Sequence, residues 1–194
     1  MKITADEVYS FVFRGLLAEE ALDRAGRKSR LANLFEEQEI VKTISLDLLD
    51  EDLIKEAKRM SIVYTVINAF ENSVRALIAK ELLETVGENW WETSVSEKIR
   101  ERAKIRMEEE KIIRWHAQRG KDPINYTMLG DLVSIIRNNW DKFEPYIQSI
   151  EWAAGIFDVL ERSRNVIMHS GTLEKADVER VGMNIRDWIK QVGG

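Results

Sequence analysis

The chain of 194 residues contains no cysteine, two histidines, two prolines and ten glycines, and each scarcity removes a class of explanation. Without cysteine there is no disulfide, no thiolate metal site and no thiol nucleophile. Two histidines alone make no recognisable zinc site, and no metal or other cofactor is expected. Because breakers are scarce, long helices are the expected result. Gly-rich phosphate loops are missing too, since neither Gly130 nor Gly155 belongs to one. No stretch approaches ~18 uninterrupted apolar residues, and Met1 to Glu7 lacks a basic region followed by an apolar run. A soluble, cytoplasmic protein with no membrane attachment is therefore expected. At 44% hydrophobic the chain can bury one substantial core, which predicts a single globular unit overall.

What is present is charge, unevenly placed. The whole chain stands at −5, yet Ser96 to Lys121 holds nine cations (Lys98, Arg100, Arg102, Lys104, Arg106, Lys111, Arg114, Arg119, Lys121) against five acids. That segment is +4, which leaves the remainder at −9. A local basic segment on an acidic body could meet a polyanion; the same pattern also suits a solvated helix face.

Helical periodicity runs almost throughout. Thr4 with Glu7 forms a capping-box pattern, and Val8, Phe11, Val12, Leu16 and Leu22 recur at helical spacing to about Ala25. Gly26 to Ser29 reads as a turn, and a shorter helix follows from about Arg30 to Val41. The longest helix is expected over Glu51 to Val86, with Asp50 as N-cap and Gly87 as a left-handed C-cap residue. Its apolar positions, Leu53, Ala57, Met60, Val63, Tyr64, Ile67, Phe70, Val74, Leu77 and Ile78, make it a central core helix. Glu71 interrupts this stripe, at its edge beside Asn72 and Arg75. A carboxylate half inside a core needs a partner, of which Arg75 at i+4 supplies only part; a surface Glu-Arg pair is the plainer alternative. Further helices are expected over about Ser94 to Gln118, closed by Gly120, and over Thr127 to about Trp140. Trp90 and Trp91 read as core or interface anchors, and His116 as a surface residue on the basic helix.

The last element considered runs from near Ser149 to Gly171. Its expected buried stripe is Trp152, Ile156, Val159, Leu160, Ser163, Val166, Ile167 and Ser170. Relative to that stripe, at ~100° per residue, Arg164 lies about 100° to one side and His169 about 120° to the other. Asn165 stands between them on the exposed face. Phe157 and Met168 also fall outward, which predicts that another copy of the same helix covers them. A fixed cation and a titratable base on one free face are equipment for chemistry on a phosphate.

The pattern Arg164-Asn165-x-x-x-His169 late in the chain, with Glu71-Asn72-x-x-Arg75 in an earlier core helix, resembles the HEPN superfamily of all-helical nucleic-acid-processing domains. In that family an arginine and a histidine four to six residues apart mark metal-independent endoribonucleases, usually with a polar residue after the arginine. Leu53 to Glu81, Tyr126 to Trp140 and Ile156 to Val181 are similar to the HEPN module attached to PIN-type RNA-surveillance endonucleases. The resemblance covers roughly residues 47 to 190; residues 1 to 46 take no part in it. It implies an all-α, up-and-down helical bundle of HEPN type over 47–194, with an N-terminal helical extension, 1–46, packed on the bundle.

The resemblance further implies that Arg164 and His169 are the catalytic pair, oriented by Asn165 and faced by Glu71. Arg75, Asn72 and Arg162 are the expected substrate contacts. A subgroup of HEPN toxins carries a tyrosine two residues after the histidine, where a partner enzyme modifies it; here that position is Gly171. The expected function is cleavage of RNA by its own 2′-hydroxyl, leaving a 2′,3′-cyclic phosphate, with a toxin or phage-defence role in view. The expected partners are RNA, a second copy through the face carrying Phe157, Arg164, Met168 and His169, and an antitoxin or regulatory protein. The alternative is a noncatalytic HEPN module that binds RNA, a nucleotide or a protein.

Overall fold

A computed structural model describes Leu22 and residues 36–193. The expected helix from Thr4 to Ala25, the turn after it and the start of the second helix lie outside the described residues, apart from Leu22, which is helical and exposed. The chain divides into two compact units, Met1–Ile54 and Lys55–Gly194. In the first, residues 36–43 are helical and a short 3₁₀ turn follows at Leu46–Leu48.

The second unit is built on α1 (Glu51–Val86), α2 (Trp90–Ser94), α3 (Glu97–Ile112), α4 (Leu129–Asn138), α5 (Trp140–Phe143), α6 (Ile150–Met168) and α7 (Lys175–Val192). There is no strand among the described residues, and the architecture is an all-helical bundle. α1 has the expected bounds because its ends are chemically marked. Asp50 Oδ1 accepts the backbone N–H groups of Asp52 and Leu53 at 3.0 and 3.2 Å, and Gly87 takes φ 95° after the last turn. Its buried residues are Met60, Val63, Ile67, Phe70, Glu71, Val74, Ile78 and Leu82. Leu53 and Ala57, expected in this stripe, are exposed.

The core is closed by aromatic rings from three helices. Trp188 of α7 meets Phe70 of α1 at 5.5 Å and Phe157 of α6 at 5.4 Å, both edge-on, and stacks on Trp152 at 5.8 Å. Such pairs add specific geometry to a large burial of apolar surface. They fix how α1, α6 and α7 cross, and so where Glu71 stands relative to Arg164. Trp90 and Trp91, edge-on at 5.6 Å, pack against the same core, as expected of anchors.

Two expectations need correction here. The basic helix does not run from Ser94 to Gln118: Ser94 ends α2, and α3 stops at Ile112, where a helix with only Ile99 and Ala103 buried has no apolar face left to hold it. Phe157 is not an outward residue; it is 1% exposed, inside the aromatic cluster. The buried face of α6 is Ala153, Ile156, Phe157, Leu160 and Ser163, while Val166 and Ser170 are exposed. At ~100° per residue this face is rotated by roughly 60° from the expected stripe, toward Arg164 and away from His169.

Candidate functional site

Glu71 is 8% exposed on α1. One helical turn further on, Arg75 Nη2 donates to Glu71 Oε1, while Arg164 Nε of α6 lies 3.7 Å from Oε2. One carboxylate thus serves two guanidinium groups, one on each oxygen, and the trio carries a net positive charge. A buried carboxylate without such partners would be costly, so the second arginine is the missing part of Glu71's environment.

Arg75 is fully engaged within the protein. Its Nε donates to Ile124 O at 3.3 Å, its Nη2 also to Thr127 O at 3.0 Å, and its Nη1 to Asn72 Oδ1 at 3.2 Å. It braces α1 against the 3₁₀ turn Pro123–Tyr126. Arg164 differs. Among the described residues its one ion pair, with Glu71, uses the Nε edge, so both Nη groups stay outside that pair.

His169 follows the last turn of α6 and is exposed, as is Asn165. The end of α6 is a Schellman turn: Ser170 N–H donates to Ile167 O at 3.0 Å and Gly171 N–H to Val166 O at 2.8 Å, with Ser170 at φ 61°. A side chain at 171 would press its Cβ to 2.7 Å from Val166 Cγ1 and 2.8 Å from Val166 O. A side chain at this position, which holds a tyrosine in some HEPN toxins, would therefore have to displace Val166. Beyond the turn, Leu173 N–H meets Met60 Sδ at 3.2 Å and Leu173 O accepts from Arg59, which ties the histidine segment to α1.

Within one chain Glu71, Arg75, Asn72 and Arg164 come together. His169 and Asn165 lie on the outer side of α6, about 140° of helix rotation separating His169 from Arg164. Arg162 points away, 79% exposed and paired with Asp158 at 2.9 Å. A second buried carboxylate escaped the sequence reading. Asp131 receives Arg102 Nη2 at 2.5 Å, Arg106 Nη1 at 3.6 Å and the N–H of Met128 at 3.0 Å. Its signal was an acid among the apolar residues Leu129 to Ile136. Arg106 also donates to Tyr126 O at 2.6 Å, so one cation of the basic helix fastens the turn that Arg75 also grips. Burial, with the Glu110 carboxylate nearby, pushes the Tyr126 phenol above its ordinary pKa. Among the described residues no three His, Cys, Asp or Glu side chains are grouped so as to hold a metal ion.

The family model described as Swt1-like HEPN matches residues 65–193, about two thirds of the chain. The chain belongs to the Swt1-like HEPN family. The match takes in the arginine-histidine segment, Glu71 and Arg75, and it begins inside α1. Ribonuclease or RNA-binding function is what membership of the HEPN family suggests. Neither the curated proteins nor the solved structures contain a match to this HEPN chain. No helix among its described residues is long and apolar enough to cross a membrane.

Proposed function

We propose that this HEPN protein is a metal-independent endoribonuclease acting as a homodimer, with Arg164 and His169 as its catalytic residues. The observation that carries the reading is the ion pair of Arg164 Nε with the buried Glu71, which orients a phosphate-binding fork and leaves its two Nη groups for the substrate. In the reaction the 2′-oxygen of the RNA forms a bond to phosphorus as the bond to the 5′-oxygen breaks. The 2′-hydroxyl proton passes to a base and the 5′-oxygen takes one from an acid, leaving a 2′,3′-cyclic phosphate and a 5′-hydroxyl. Arg164 stabilises the charge of the phosphorane, and Glu71 acts on the substrate only through Arg164.

His169 is the proton carrier, and one histidine cannot begin the step as both base and acid. A two-fold axis beside the exposed segment from Asn165 to His169, with Met168 54% exposed as an apolar contact, brings a second His169 to the same phosphate. Phe157 takes no part in that face. Each group contributes about 10²-fold or more. A cytoplasmic toxin or phage-defence role, under an antitoxin or regulatory protein, is the setting such an activity suits.

His169→Ala and Arg164→Ala each abolish cleavage of single-stranded RNA in EDTA while the helical circular dichroism is unchanged. Cleavage that survives both substitutions ends the proposal. The second reading, a noncatalytic RNA-binding module, is favoured by the separation of His169 from Arg164 within one chain and predicts RNA binding without turnover.

A further inference from the structure

From the last turn of α3 toward the 3₁₀ turn, residues 111–121 hold four cations (Lys111, Arg114, Arg119, Lys121) and no acid, with Glu108 to Glu110 before them and Asp122 after. This is a built loop. Glu110 closes it, its Oε2 accepting the backbone N–H of Arg119 at 3.1 Å and its Oε1 standing 2.6 Å from Arg119 Nε. Below the clasp the Tyr126 hydroxyl donates to Gly120 O at 3.1 Å, and the Arg119 guanidinium stands over the Tyr126 ring at 5.9 Å. Inside it the backbone turns twice, Arg114 N–H to Ile112 O and His116 N–H to Ile113 O.

At the tip stands Trp115, 86% exposed, its ring edge-on to His116 at 5.5 Å. Tryptophan carries the largest apolar surface of any side chain and is highly buried on average. Here a clasped loop holds it in water, on a segment that also carries Lys111, Arg114 and Lys121, which make no ion pair among the described residues.

We propose that residues 111–121 form a binding loop for single-stranded RNA, in which Trp115 stacks on a base and Lys111, Arg114 and Lys121 meet the flanking phosphates. This rests on the reading that RNA is the substrate. Charge complementarity decides the occupant: Lys111, Arg114 and Lys121 stay outside the Glu110–Arg119 pair on a chain of net charge −5, and a polyanion with planar bases satisfies the charge and the ring together. The loop leads directly into the turn that Arg75 grips at Ile124 O and Thr127 O, so the chain connects it to the segment that braces Glu71.

The test uses the full chain carrying His169→Ala, so that RNA is not cut, and follows the anisotropy of a fluorescein-labelled single-stranded oligoribonucleotide. Adding Trp115→Ala weakens binding by about 10-fold or more, whereas Trp115→Phe retains most of it. Adding Arg114→Ala reduces the slope of log affinity against log salt by about 0.7. Heparin, a polyanion without bases, binds equally with and without Trp115. Affinity for the oligoribonucleotide within about twofold after Trp115→Ala overturns the proposal, as does an equal loss of heparin binding. If the wild type cuts RNA and Trp115→Ala changes neither KM nor affinity, the loop proposal fails and the ribonuclease stands. If binding depends on Trp115 but nothing is cut, the ribonuclease reading fails and the loop proposal stands.

Discussion

Glu71 places one negative charge against two guanidinium groups at a position where little water reaches, and substitutions there separate structure from chemistry. Glu71→Ala leaves Arg75 and Arg164 facing each other without a counter-ion, and breaking a buried pair in this way costs about 3 kcal/mol. Urea denaturation measures it, with a fall of the midpoint at unchanged slope as the expected result. Glu71→Gln keeps the shape and one acceptor but frees Arg164, so it lowers kcat of RNA cleavage more than it lowers stability. The sequence exposed half of this arrangement. An acid on the margin of an apolar stripe was visible from the spacing, but its second partner came only through the family resemblance, because Arg164 lies 93 positions further on and its face depends on how α6 is turned. Tyr126 gives a residue-scale test of pH dependence. Its phenol pKa is raised by burial and by Glu110, so the folded state favours the neutral form. That contribution is fully present below the ordinary value of about 10 and is lost as pH rises through the raised value. Denaturant midpoints taken from pH about 9 to about 12 therefore fall more steeply for the wild type than for Tyr126→Phe.

Elements with marked ends could be read from the sequence, and elements whose direction depends on distant partners could not. The bounds of α1 followed from Asp50 and Gly87, and the core or interface reading of Trp90 and Trp91 from their type. α6 misled because it has two apolar sides: Val159 and Val166 on one, Ala153, Phe157 and Leu160 on the other. Only the ring contacts of Phe157 with Phe70 and Trp188 decide between them, and those join residues far apart in the chain. α7 went unassigned although Val178, Val181, Ile185 and Trp188 recur at helical spacing. The turn that ends α6 carries an element-scale prediction. Gly171→Ala forces a Cβ against Val166, opening the Schellman turn that sets the direction of His169. Stability falls by about 1–3 kcal/mol, the ordinary cost of overpacking, and cleavage falls with it. Ser170→Gly, which suits φ 61° better, leaves the turn intact and retains activity. Equal activity in Gly171→Ala and the wild type would show that the direction of His169 is not set by this turn.

At the scale of the molecule the arrangement of α6 decides what one chain can do alone. The buried face draws Arg164 inward to Glu71 and leaves His169 on the far side of the helix, so base and cation do not converge within a single copy. The proposed two-fold pairing across Asn165 to His169 would resolve this, because each phosphate would then meet two histidines, one as base and one as acid. Mixing subunits turns that requirement into a number. If wild-type and His169→Ala chains are denatured together in equal amounts and refolded, random pairing leaves about a quarter of the dimers with both histidines. Activity then falls to about a quarter of that of the same total amount of wild type. A monomeric enzyme gives about a half under the same treatment, and a dimer in which either histidine suffices gives about three quarters. Size-exclusion chromatography of the mixture checks that both chains pair. A value near one half, with dimers present on the column, would retire the shared histidines and leave the catalytic cycle to a single copy.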